Sequence, residues 1–229
     1  RYISRHRLVK KDPTAARSEA VKPIVYYIDS GAPEAIRNAL RDGVQWWNQA
    51  FEAAGFINGF RAEIMPEGMD PDDVRYNVVN WVHRSTRGWS YGASVKDPRT
   101  GEIIKGHVTL GSLRSRQDFM IANAVTGPYA DGKSTDESIE LVLARTRQLG
   151  AHEVGHTLGF AHNYIASTNG DDDVMDYPHP KITMGDDGKV DISTPYDQKI
   201  GEWNKIAVNW GYRQYDSAAD EQAGLNTII

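Results

Sequence analysis

The sequence predicts an α+β fold, and three observations carry that prediction. Short β-rich runs bounded by turn residues crowd the first half of the chain, long stretches of helical period bracket them, and the last third is loop-like up to a closing helix. At 229 residues the chain can bury a substantial core, as one large domain or as two small lobes around a cleft.

The elements follow in order. Residues 1–21 are basic, lack a clear period and read as an N-terminal arm. Residues 22–29 (KPIVYYID) are β-rich and bounded by Pro23 and by Ser30-Gly31, which predicts a strand. Pro33 opens a helix to about Ala54, with Ile36, Leu40, Val44, Trp47 and Phe51 at helical spacing and Gly55 ending it. Trp46 and Trp47 belong to its core face. Strands are expected over 60–65 and 77–83, then a strand, a turn at 97–101 and a second strand to Leu110. A helix over 113–125 stops at Gly127-Pro128. The next helix has a capping box in Ser134 and Glu137, with Ile139, Val142, Leu143, Thr146 and Leu149 at helical spacing. The last begins at Thr194-Pro195, carries Ile200, Trp203 and Ile206 on one face, and has Gly211 after its end.

Composition limits the partners. There are 26 basic and 31 acidic residues in no long single-sign block, which argues against nucleic acid or an anionic membrane as the main partner. No apolar run approaches the roughly 20 residues of a membrane span, and no signal peptide is visible. The chain has no cysteine, so it has neither a disulfide framework nor a thiolate metal site. It starts at Arg1, as expected of a processed product or a part of something longer.

Chemistry concentrates in LGAHEVGHTLGFAHNY, residues 149–164, where His152, His156 and His162 fall within eleven residues. His152 and His156 are four apart on a helix, so both imidazoles leave one face and can reach a Zn²⁺ at about 2.0–2.1 Å. Glu153 points about 100° away from His152, toward the flank of the metal, where a general base can act on an activated water. On a continuous helix His162 would lie roughly 15 Å from His152 along the axis. Gly159 resolves this, since glycine takes positive φ cheaply and reverses the chain beneath the ion. A histidine pair four apart is ordinarily a helix surface or a satisfied core pair. Adding Gly159 and His162 at these spacings makes coincidence improbable, on the order of 10⁻⁴ from composition.

His152–His162, HEVGHTLGFAH, resembles the H-E-x-x-H-x-x-G-x-x-H signature of the metzincin zinc endopeptidases. DVMDYP adds a Met-turn candidate, with Met175 thirteen residues beyond His162. The resemblance implies a zincin-like fold with a mostly parallel twisted sheet and long helices in an upper subdomain (22–164). A small helical lower subdomain (165–229) closes a cleft. It further implies one catalytic Zn²⁺ on His152, His156 and His162, Glu153 as general base, and hydrolysis of internal peptide bonds in a protein or peptide substrate. YYIDSGAP and HTLGFAHN place the chain nearest a matrixin-like bacterial group of secreted or cell-envelope proteins. Asn163 departs from the residue that better-known subfamilies carry after the third histidine. Latency through a cysteine thiolate of this chain is excluded.

Other candidates hang on that resemblance. Met175 would floor the metal without ligating it. Tyr177 is either a phenol at the zinc or oxyanion, as in astacins and serralysins, or a packed tyrosine. Residues 106–111 (GHVTLG) fit the edge strand that pairs with an extended peptide, giving His107, Val108, Thr109 and Leu110 as substrate-binding positions. GDDDVMD, residues 170–176, reads as an acidic solvated loop, with Ca²⁺ as the alternative. His6, His83, His107 and His179 read as surface or packing residues, and His179 is also a candidate for the specificity pocket. The remaining tryptophans carry no functional assignment. Against the endopeptidase stand a catalytically silent metzincin-fold binding module, which would have no need of Glu153, and a metal hydrolase acting on something other than a peptide. Histidine sites also accept other divalent ions, and oligomeric state is not legible.

Overall fold

The computed structural model describes residues 3–86, 88–127, 135–168 and 173–228. In chain order they form β1 (Ser18–Glu19), β2 (Ile24–Ile28), α1 (Glu34–Gln45), α2 (Trp47–Ala53), β3 (Phe56–Ile57), β4 (Phe60–Ile64), β5 (Asn77–Val82), β6 (Tyr91–Lys96), β7 (Ile103–Gly111), α3 (Leu113–Thr126) and α4 (Asp136–Thr157). A 3₁₀ turn (Tyr164–Thr168), β8 (Thr183–Met184), β9 (Val190–Asp191), α5 (Glu202–Tyr212) and α6 (Ala218–Ile228) complete it.

The class is α+β with a mostly parallel sheet. Its five strands run in the order β4-β2-β5-β7-β6, all parallel except β6, which pairs antiparallel with β7 at one edge. β1 pairs with β3, and β8 with β9, in separate two-stranded pieces. Helices α1 and α4 pack together, α1 against β4 and α4 against β6 and β7. Between helices and sheet, Tyr26, Phe60 and Phe51 stack in a column with ring centroids 5.5 and 5.6 Å apart. Each fully buried phenylalanine contributes roughly 2–3 kcal/mol, so this column anchors the layer that carries α4.

Several sequence expectations shift. The single helix over 33–54 divides at Trp46, whose N–H bonds Gly43 O three residues back. That tightened turn goes with a fully buried Trp47, whose indole N–H donates to Ala151 O of α4 at 2.8 Å. On α4 the inward face is Ser138, Leu141, Val142, Arg145 and Gln148, and Ile139 is exposed. Ser134 of the expected capping box lies outside the described residues; Thr135 caps without a side-chain hydrogen bond. The last stretch begins as loop, burying Tyr196 and Ile200, and α5 starts only at Glu202. Its inner face is Asn204, Val208, Gly211 and Tyr212, so Trp203 and Ile206 point outward and Gly211 is inside the helix. α6 follows it.

The N-terminal residues run along the body. Arg5 and Glu102 form a parallel bridge, and His6 and Lys10 are buried. The Arg5 guanidinium donates to Gly211 O at 2.6 Å, and the His6 N–H to the Tyr212 hydroxyl at 3.1 Å. No helix among the described residues is long and apolar enough to cross a membrane.

Candidate metal centre and active site

The site starts where α4 stops. Gly159 has φ +103°, its N–H bonds His156 O, and the Phe160 N–H reaches back to Gly155 O at 3.0 Å. These are the two bonds of a Schellman ending, which satisfies the last carbonyls while turning the chain. A side chain at 159 would be strained by that φ and would also strike the Ser4 carbonyl. The turn brings His162 back toward the helix.

His156 Nε2 lies 3.2 Å from His152 Nε2 and 3.1 Å from His162 Nε2, and the three ligand atoms all fall within 4.8 Å of one another. Two Zn–N bonds of about 2.0–2.1 Å at a tetrahedral angle put their nitrogens roughly 3.3 Å apart. The other ring nitrogens settle the tautomers. His152 Nδ1 faces Val174 O at 2.6 Å and His156 Nδ1 faces Phe160 O at 2.9 Å. A carbonyl only accepts, so both Nδ1 atoms carry the proton and both Nε2 atoms present lone pairs. Facing lone pairs cannot bond each other, and a cation at their convergence satisfies them. Burial keeps the His152 ring neutral, lowering its pKa to about 3, and desolvation lowers that of His162 as well. The donor set fits Zn²⁺.

Glu153 is buried beside this triad, and desolvation pushes its carboxyl up to about 7 against the opposing pull of Arg145 and of a hydrogen bond from the Gly92 N–H. Gly92 belongs to β6, so the carboxylate is held between the active-site helix and the sheet edge. Met175 is fully buried, and a side chain at Gly155 would run into its sulfur and the Trp47 ring. The Tyr177 ring lies 5.1 Å from the His152 ring and 4.6 Å from the His162 ring, with the residue 57% exposed. The sequence reading missed Tyr164, whose hydroxyl sits 2.9 Å from His162 Nδ1. A tyrosine two residues past the third histidine was the available signal.

Two expectations are corrected. β7 pairs with β5 on one side and β6 on the other, so His107, Val108, Thr109 and Leu110 sit in an interior strand, with Val108, Thr109 and Leu110 buried; the edge is β6. His107 bonds Asn80 at 3.2 Å. In the acidic loop, 170–172 lie outside the described residues, while Asp173 and Asp176 are buried and hydrogen-bonded rather than solvated. Among the other histidines His6 is buried, His83 bonds Ser112, and the exposed His179 lines a small pocket with Gln148, Val174, Pro178 and Tyr196.

Residues 134–229 match the model of a family described as Met-zincin. That match contains the histidine triad, Glu153 and Met175, and supports a metzincin-type, metallopeptidase-like domain with zinc as its metal. No curated protein matches the chain. One solved structure, described as the GM1 bound form of the ECX AB5 holotoxin, aligns over 90% of this chain and 88% of its own at 14% identity, with a TM-score of 0.39. That likeness is too loose to bear on fold or function.

Proposed function

We propose that the chain is a zinc-dependent endopeptidase of matrixin-like bacterial type. The observation that carries the reading is the convergence of three histidine Nε2 atoms beside a buried carboxylate that no lysine or arginine of the described residues ion-pairs. His152, His156 and His162 would hold a zinc ion, which when bound would supply Lewis acidity toward a water and the scissile carbonyl. Glu153 takes the proton from the attacking water and passes it to the leaving amine. The Gly92 N–H fixes the carboxylate for both transfers. The Tyr177 hydroxyl stabilises the oxyanion from the exposed side.

The substrate is an extended peptide laid along the edge of β6, where backbone hydrogen bonds hold it regardless of most side chains. The part first assigned to His107–Leu110 thereby passes one strand outward. A secreted or cell-envelope setting rests on the family resemblance alone.

The test is digestion of a diverse peptide library by the zinc-loaded protein beside Glu153→Gln, read by mass spectrometry. The parent makes internal cuts, and the variant retains zinc but loses about 10²–10⁴-fold in rate. Equal cutting by both would sink the mechanism. A folded, zinc-loaded parent that cuts nothing would shift the reading to a silent binding module.

A further inference from the structure

We infer that Asp173 is a positioning residue for the metal centre, tying the supports of the first and third ligands together through a buried carboxylate–amide knot; this rests on the zinc reading of the triad. Asp173 is 3% exposed. Its Oδ2 accepts from Asn163 Nδ2 at 2.5 Å, and its Oδ1 accepts from Asn204 Nδ2 and from the Met175 N–H, each at 2.8 Å. Asn163 directly follows the ligand His162, and its own N–H bonds Met175 O at 3.0 Å. Val174, the residue after Asp173, offers the carbonyl that orients His152. One carboxylate therefore sets the loop behind His162 and the turn beneath His152.

The donor and acceptor directions are fixed throughout. Asn204 Oδ1 accepts from the Gly201 N–H at 3.0 Å and lies 3.4 Å from the Val174 N–H, so its amide nitrogen must face Asp173. Asp173 is thus surrounded only by donors, and only a carboxylate offers acceptors on both sides. An asparagine at 173 keeps Oδ1 toward Asn204 and Met175 but turns its NH₂ onto the NH₂ of Asn163. The opposite rotamer sets the NH₂ against two donors instead. Either way a buried donor pair is left unsatisfied, and the loop carrying His162 must shift. Exchanging the two groups cures the conflict. A carboxylate at position 163 accepts from the amide NH₂ at position 173, while the amide oxygen there keeps both of its donors.

Zinc affinity, read by competition with a chromophoric chelator, and the visible spectrum of the Co²⁺-substituted protein are measured for the parent, Asp173→Asn, and the double variant Asp173→Asn/Asn163→Asp. Circular dichroism of each zinc-free protein reports folding. We expect Asp173→Asn to lose about 10–100-fold in zinc affinity with a changed Co²⁺ spectrum, and the exchanged pair to return to within about threefold of the parent. A folded Asp173→Asn that binds zinc like the parent overturns the inference, and so does an exchanged pair that folds but stays as weak as the single variant. If Asp173→Asn fails to fold, the exchanged pair alone decides between these outcomes. A parent that binds no zinc, with His156→Ala behaving identically, fails the zinc reading itself and is distinguishable from both.

Discussion

The helix-borne half of the site and its loop-borne half are held by different means. His152, Glu153 and His156 lie on one rigid helix, and their polar atoms meet main-chain groups: the Val174 and Phe160 carbonyls and the Gly92 N–H. His162 is held at Nδ1 by the hydroxyl of Tyr164, a residue 61% exposed, and faces the exposed Tyr177. Backbone partners persist through side-chain substitution, while a tyrosine hydroxyl is one mutation from absent. The geometry that fixes two ligands and the base therefore depends on no exposed side chain, while the exposed side of the triad is adjustable.

The largest test of this contrast comes from below the helix half. His6 lies against the Tyr26 hydroxyl at 3.3 Å, and Tyr26 bonds Thr157, the residue after His156, at 2.7 Å. Burial lowers the His6 pKa to about 4 from an ordinary 6.5, despite Glu102 and the Ile103 backbone acting to raise it. The unfolded chain thus takes up a proton that the folded chain refuses. This contribution is full above pH about 6.5 and is lost as pH falls toward about 4, up to about 3 kcal/mol. Urea unfolding of the zinc-free parent and of His6→Gln across that window should show the parent falling more steeply. Parallel profiles would detach His6 from the stability of the helix half.

Next in size is Gly155→Ala, which presses a methyl group onto the Met175 sulfur and the Trp47 ring. Overpacking of this kind costs about 2 kcal/mol, and the melting temperature should drop by about 5 °C. An unchanged melting temperature would mean that the floor beneath the helix half is soft. The smallest effect belongs to the loop half. Tyr164→Phe removes the partner of His162 Nδ1 and should weaken zinc binding about tenfold without altering thermal stability. No change in affinity would show that His162 needs no such support and would erase the contrast.

What the sequence disclosed divides along similar lines. The active-site helix, its three imidazoles and the turn at Gly159 are all local, encoded in spacing and in one residue that tolerates positive φ. The edge strand was misplaced because 91–96 and 103–111 look equally β-like, and only pairing with β5 makes β7 interior. Period identified a shared face for Trp203 and Ile206 but not its direction; a polar Asn204, bonded into the turn around Asp173, claims the inside. Asp173 itself read as solvent-facing because its partners are ten and thirty-one residues away.

The seam between Arg5–His6 and Gly211–Tyr212 joins groups 206 positions apart in the sequence. Contacts so distant form late, since the entropy of closing the loop must be overcome before they return anything. Ser4 abuts Gly159 at that same seam. During ribosomal synthesis the turn that swings His162 under the helix therefore gains its last brace only after residue 212 has emerged.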